Sequence, residues 1–453
     1  MNGTGELASR RNYISSLVLT PVLFSHTIAE DLLTPLSEKE FSMRHFVSSL
    51  CVLFVFSFAV LAQDPNWNQF RGPNSNNHSF STGIAESWSE GGPKLLWKIN
   101  TVGAGYSNFS FYGDLMFSLG DIGDQCFLLA LDRKTGEEKW RAPVGRAGDG
   151  GGGYIGPRST PACDGETVYA MGQFSDFIAV DIRDGKERWR KNLQREFGAA
   201  VMSGWGFCTS PILDGDKVLI AIGGEGGTLG AFTKAGALLW RSTDLKDPVG
   251  YTSVVPVEIG GVRQYMLLTN ASIAGISAAD GKVLWRAGFP GATAVCSDPV
   301  LCGDVVMASC SYNVGAYFYR ISKEGNNFSA TVFREADQRL SSHHGGIVTV
   351  GDHFYFLTNN NAVCVDAKTG EVVWENRSVG KGSVTYVDGK LILRSERGDG
   401  TVAMIEATPE GYKELGRFDQ PDRSDKNSWT YPVVVDKKLY IRDQGVLLCY
   451  DLN

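Results

Sequence analysis

The sequence predicts an all-β protein, an eight-bladed β-propeller of four-stranded antiparallel blades closed by pairing its N- and C-terminal strands. Three observations predict it: a short segment that returns every 41 to 51 residues, a second hairpin signature inside each repeat, and chain ends that each hold part of one unit. Composition agrees. The 453 residues include 54 Gly, are 11% aromatic and 21% charged, and suit many short strands and tight turns. No long amphipathic helical pattern interrupts them.

In chain order, the first signal is a targeting segment. Met43-Arg44-His45 is a short basic start, Phe46 to Leu61 is almost wholly apolar, and Val60-Leu61-Ala62 offers small residues ahead of Gln63. This reads as a signal peptide over 43–62 cleaved after Ala62. The apolar run is shorter than the ~20 residues of a spanning helix, so no membrane span is expected after cleavage. Residues 1–42 read as an upstream extension ahead of a true start at Met43, and 63–93 as an N-terminal extension of the propeller at 94–453. Export to the periplasm or the exterior follows from the signal.

The repeat comes next. ALDRKTGEEKW ends at Trp140, AVDIRDGKERW at Trp189, GISAADGKVLW at Trp285 and CVDAKTGEVVW at Trp374, with weaker copies ending at Trp240, Phe333 and Phe418. In each, an apolar strand ends, a Gly-bearing turn reverses the chain, and the next strand carries a large aromatic that buries area against a neighbouring blade. Trp97, in KLLWKIN, completes a series of eight. An earlier hairpin precedes each unit at Gly113-Asp114, Asp164-Gly165, Asp214-Gly215, Gly260-Gly261, Gly303-Asp304, Gly351-Asp352, Asp388-Gly389 and Asp436-Lys437.

The chain stops at VLLCYDLN, a third strand with no fourth, while Leu95 to Asn100 is a fourth strand with no third. Pairing them closes the ring and removes the edges an open sheet would leave.

These tryptophan-bearing segments resemble the repeats of the PQQ-like, quinoprotein alcohol dehydrogenase-like propeller family, which includes the quinoprotein alcohol dehydrogenases and an outer-membrane protein assembly factor. The resemblance covers about Trp67 to Asn453. NQFRGPNSN, HHGGIVTVGDHFYFL and SWTYPVVVDKKLYIRDQGVLLCYDL are similar to secreted bacterial members of the same family. The resemblance implies the fold; activity has to be argued from a site.

The site is expected on the face where blades connect, because its segments are long and irregular: 145–158, 195–206, 335–346 and 419–429. Candidate ligand-binding residues there are Arg158, Trp205, His343, His344, Trp429 and Arg442. Trp205 and Trp429 suit stacking on a planar group, and Arg158 and Arg442 suit bidentate bonds to a carboxylate or quinone oxygen. Each has a bland alternative in packing or inter-blade pairing. Adjacent histidines on a strand would point to opposite sides, and no cysteine shows a ligand spacing, so no metal site is expected. The GDGGGG run at Asp149 lacks the Lys of a phosphate loop and reads as a loop. Cys296 and Cys310 flank the Gly303-Asp304 turn as a candidate cross-strand pair.

The resemblance to quinoprotein dehydrogenases implies a calcium-polarised quinone, a carboxylate base, an Arg and, in many members, a disulfide between adjacent cysteines. This chain has no adjacent Cys pair and no CxxCH haem motif. Asp121, Asp124 and Asp298 are the oxygens available for ligation or proton transfer, without an alignable set. The first reading is therefore a binding or scaffolding propeller that holds a protein, peptide or glycan at its loop face, with no cofactor. The alternative is a PQQ-dependent alcohol dehydrogenase with a reduced site, using PQQ and calcium. The net charge of −7 and scattered basic residues leave no footprint for nucleic acid.

Overall fold

In the computed structural model, which describes residues 67–453 except Gly151, the repeats form eight antiparallel sheets of four strands arranged as an eight-bladed propeller. Blades 1 to 6 cover residues 110–146, 162–192, 212–241, 255–288, 300–337 and 347–377. Blade 7 covers 382–418, and blade 8 combines Val433–Val435, Lys438–Asp443 and Val446–Asp451 with Lys94–Asn100. The expected seam is present: Trp97 lies opposite Cys449 and Asn100 opposite Val446. No helix among the described residues is long and apolar enough to cross a membrane. The expected signal peptide and upstream extension lie outside the described residues.

The aromatic series works as a set of inter-blade staples. In the six blades whose outer strand carries Trp, the pairing register slips immediately before that residue, a bulge that re-aims the ring. The Trp140 ring then lies over Gly185 in the turn of the next blade, and its Nε1 donates to the Ile182 carbonyl at 3.0 Å. Trp189 meets Gly236, Trp240 meets Gly281, and Trp97 of blade 8 meets Gly136 of blade 1. Glycine is required there twice over, since φ at Gly185 is +71° and a Cβ would stand 2.6 Å from the ring. Trp285 departs from the pattern, donating to Gln264 of its own blade at 2.8 Å.

The N-terminal extension has a role that composition did not reveal: it runs across the central channel. The Trp67 carbonyl accepts from Phe111 N–H in blade 1, and the Asn68 carbonyl from Cys163 N–H in blade 2. Gln69 Oε1 accepts from Leu213 N–H in blade 3 at 2.7 Å. On the far side, Asn77 Nδ2 donates to the Val384 carbonyl and Ser79 Oγ to that of Val434. His78–Ser79 adds a fifth, parallel strand to blade 7. These contacts satisfy innermost-strand groups that would otherwise be unpaired.

Arg71 sits at the centre of this crossing, 1% exposed, with Nη1 3.4 Å from Asp298 and Nη2 donating to the Ile347 carbonyl at 2.7 Å. Asp298 also accepts from Ser253 N–H at 2.8 Å. Burial raises its carboxyl above the usual range, and the Arg71 charge opposes that rise. Asp298 is thus a partner of the crossing segment, and it is absent from the cavity described below.

All eight described cysteines are free. Cys296 precedes the first strand of blade 5, Val300–Cys302, while Cys310 lies opposite Gly315, so the expected cross-strand pair does not form.

Candidate functional site

On the loop face the channel opens into a cavity of ≈ 330 Å³. The crossing segment closes its inner end: Phe70 lines the cavity and packs edge-on against Tyr431 at 5.6 Å. The walls are aromatic, with Tyr106, Tyr154, Trp205, Tyr251, Tyr312 and Trp429 contributed by inter-blade connections and by one turn inside blade 5. Polar side chains fill the gaps between the rings: Arg158, His343, His344, Lys381, Glu396, Arg397 and two asparagines among them. A concave, mostly apolar cup with convergent polar groups is the usual form of a small-ligand site.

The loops that carry these rings are pinned. Arg158 donates to the Tyr154 carbonyl at 2.8 Å and the Trp205 carbonyl at 3.2 Å, tying two connections together. Gly152 lies so close to Trp205 that a Cβ would stand 2.2 Å from its Nε1. The glycine run therefore packs on an aromatic ring instead of cradling an anion. The Trp429 loop is held by buried Arg394, which donates to Thr430 Oγ1 at 2.8 Å and Gln420 Oε1 at 2.6 Å. Buried Asp443 holds the same loop through Ser424 N–H and Oγ, both at 2.7 Å. Trp429 itself stacks near Tyr106 and Tyr154, at 4.4 and 4.8 Å between centroids.

His343 and His344 lie in a segment that is not a strand, so the alternation assumed from sequence does not apply. Both rings face the cup, 5.5 Å apart and nearly perpendicular. Two glycines make the bend: a Cβ on Gly345 would overlap the Gly382 carbonyl, and Gly346, at φ +71°, abuts the Tyr431 ring. Burial, then neighbouring charge, lowers both imidazoles to about 3, so both are neutral at neutral pH. His343 Nε2 is 3.1 Å from the Tyr312 hydroxyl, whereas neither ring nitrogen of His344 has a hydrogen bond. Asn108, 2% exposed, likewise leaves both side-chain atoms unpartnered. Buried polar groups are ordinarily satisfied, so these atoms have hydrogen-bonding capacity to offer at the cup.

Five of the six residues singled out from sequence therefore meet at this cup. Arg442 does not. It is fully buried, donating to the Leu119 carbonyl at 2.6 Å, Ser118 Oγ at 2.8 Å and the Ser107 carbonyl at 3.1 Å, and so joins blade 8 to blade 1. Asp121 is also turned inward, accepting from Gln173 and Gly148 N–H. Sequence reasoning missed Glu396, Arg397 and Tyr312, which come from short turns inside blades 7 and 5, and Lys381, from a four-residue connection. Their segments were too short to stand out.

A family model described as the outer membrane protein assembly factor BamB matches residues 127–353 and 322–411, more than half of the chain. The chain belongs to the PQQ-like propeller family. Among curated members, this PQQ-like propeller is 25% identical over 376 aligned positions to the outer membrane protein assembly factor BamB of Shewanella oneidensis, covering 68% of this chain and 87% of that protein. It also matches the serine/threonine-protein kinase AfsK of Streptomyces griseus, 27% identical over 139 residues, where it spans only 16% of the kinase. BamB from Moraxella catarrhalis superposes with a TM-score of 0.56 at 16% identity, covering 79% of this chain and 97% of that one. Quinohemoprotein alcohol dehydrogenase ADHIIG from Pseudomonas putida HK5 gives 0.61 at 14%, covering 86% and 80%. Both likenesses concern the fold.

The residues present do not fit the calcium that the dehydrogenase branch of the family implies. Glu396 is the one carboxylate among the cavity-lining residues. Its Oε1 accepts from Trp429 Nε1 at 2.7 Å, and Lys381 Nζ stands 3.2 Å from its Oε2. A hard cation of calcium's size needs six to eight oxygens.

Proposed function

We propose that this protein is an exported binding protein that takes a ring-bearing group of a protein or peptide partner into the cup on its loop face. The carrying observation is the cup itself: aromatic walls, a closed floor, and buried polar atoms of His344 and Asn108 left without partners. Aromatic walls give area at low entropic cost, and the orphan donors and acceptors supply orientation. Kinship with outer membrane protein assembly factors supports a protein partner, and the apolar Phe46 to Leu61 run supports export.

The test is a peptide and glycan array followed by titration on Trp fluorescence. A peptide ligand whose affinity falls at least ~10-fold in Trp429→Ala, with the melting temperature held, supports the reading, since one stacking ring contributes about 0.5–1.5 kcal/mol beyond the apolar area it buries. Selective glycan capture would replace the protein partner with a sugar. Binding indifferent to Trp429 and Tyr312 would move the site elsewhere. For the dehydrogenase alternative, saturable uptake of PQQ with calcium and dye reduction by an alcohol would overturn the non-catalytic reading.

A further inference from the structure

We propose that His343, His344 and Glu396 form a binding site for one divalent transition-metal ion of the zinc, cobalt or nickel type at the wall of the cup. The ligand-capable atoms of the three side chains lie within 4.8 Å of one another. In a tetrahedral site with metal–nitrogen distances of ≈ 2.0–2.1 Å, ligand atoms stand about 3.4 Å apart, so the set closes with shifts of about an ångström. Glu396 is 2% and His344 8% exposed.

Two further features point the same way. Neither nitrogen of His344 has a partner, nor does His343 Nδ1, while His343 Nε2 is oriented by the Tyr312 hydroxyl at 3.1 Å. A hydrogen bond to the ring's other nitrogen fixes the orientation of a metal-ligating histidine. Glu396 Oε1 is held by Trp429, which leaves Oε2 as the ligating atom. Two imidazoles and one carboxylate select a borderline metal over calcium or magnesium. Three protein ligands beside an open cavity leave a fourth position for an exogenous group. This site deepens the proposed ligand-binding reading, because a carboxylate, imidazole or thiolate of the bound partner would complete the coordination.

Lys381 is the competitor. Its ammonium stands 3.2 Å from Glu396 Oε2 without hydrogen-bond alignment, on a side chain 28% exposed that has solvent to turn toward. Metal entry exchanges one cation for another at that oxygen. Arg397, 3.9 Å away, is already directed to Asn427 Oδ1 at 3.0 Å.

The experiment titrates Zn²⁺ and Co²⁺ into the chelator-treated, untagged chain by calorimetry and visible absorption, with no organic ligand added, so its failure leaves peptide binding standing. The expected result is one saturable site with the d–d bands of tetrahedral Co²⁺. Glu396→Gln, which keeps an acceptor for Trp429, and His344→Gln each weaken it at least 10-fold, and Lys381→Met tightens it. Absence of saturable binding, affinity unchanged in Glu396→Gln, or weakening in Lys381→Met each overturns the proposal. Near-UV circular dichroism of Glu396→Gln confirms that a loss is not misfolding.

Discussion

Arg71→Ala is the most informative single change. It leaves Asp298, 2% exposed, with its Ser253 N–H bond but without its cation, and it frees the Ile347 carbonyl. Removing one partner of a buried pair costs about 3–5 kcal/mol, because the remaining charge is uncompensated. For ~390 residues the unfolding entropy is about 0.8 kcal/mol per kelvin, so the melting temperature should fall by about 4–6 °C. Differential scanning calorimetry at pH 7 measures it.

Two companion measurements separate charge from packing. Arg71→Ala with Asp298→Asn should recover part of the loss, since neutral Asn carries no stranded charge. The deficit of the single variant should also shrink with acidification. Asp298 has a folded-state pKa raised by burial, so its protonated form favours the folded state, and stability is lost as pH rises through that value. Removing Arg71 also relieves its lowering effect on His78, which acts in the same direction. A fall of under 1 °C, or a double variant no more stable than the single one, refutes the central role of this pair.

Other outcomes follow from the same geometry. Trp140→Ala should destabilise by about 3–5 kcal/mol, and Gly185→Ala should also destabilise, by strain at φ +71° and by contact with that ring; chemical denaturation measures both. Half-buried His78, lowered to about 4 by desolvation and then by Arg71, takes up its proton first in the unfolded chain. Stability should therefore fall as pH drops from about 6.5 to 4, and His78→Gln should flatten part of that slope in a pH series of melts. Asp443→Ala should release Ser424 and Arg423, loosening the Trp429 loop so that hydrogen exchange over 419–429 quickens while the inner strands stay protected.

The blade count and closure were legible because they rest on local chemistry repeated eight times. A Gly turn, a following Trp and a spacing of four short strands specify one blade each. The half-units ending at Asn100 and Asp451 can be satisfied only by each other. The irregular connections were legible by length, and they carry Trp205, His343 and Trp429 to the cup. Arg442 was misplaced because a guanidinium near a strand end reads the same in sequence whether it faces the cup or bonds carbonyls of the next blade. Two adjacent histidines diverge on a strand and converge in a loop bent by Gly345 and Gly346.

What the sequence determined by itself, then, is the periodic part: strands, turns, staples and the ring they close. What only the tertiary structure decided is everything at the centre. NQFRGPNSN reads as an extension, yet it spans the channel, because eight inner strand edges leave hydrogen-bonding groups facing a common axis and one segment can serve several blades at once. The cup above it draws Phe70, Tyr106, Trp205, Tyr312, His344, Glu396 and Trp429 from positions hundreds of residues apart. No local pattern encodes that meeting; the closure of the ring does.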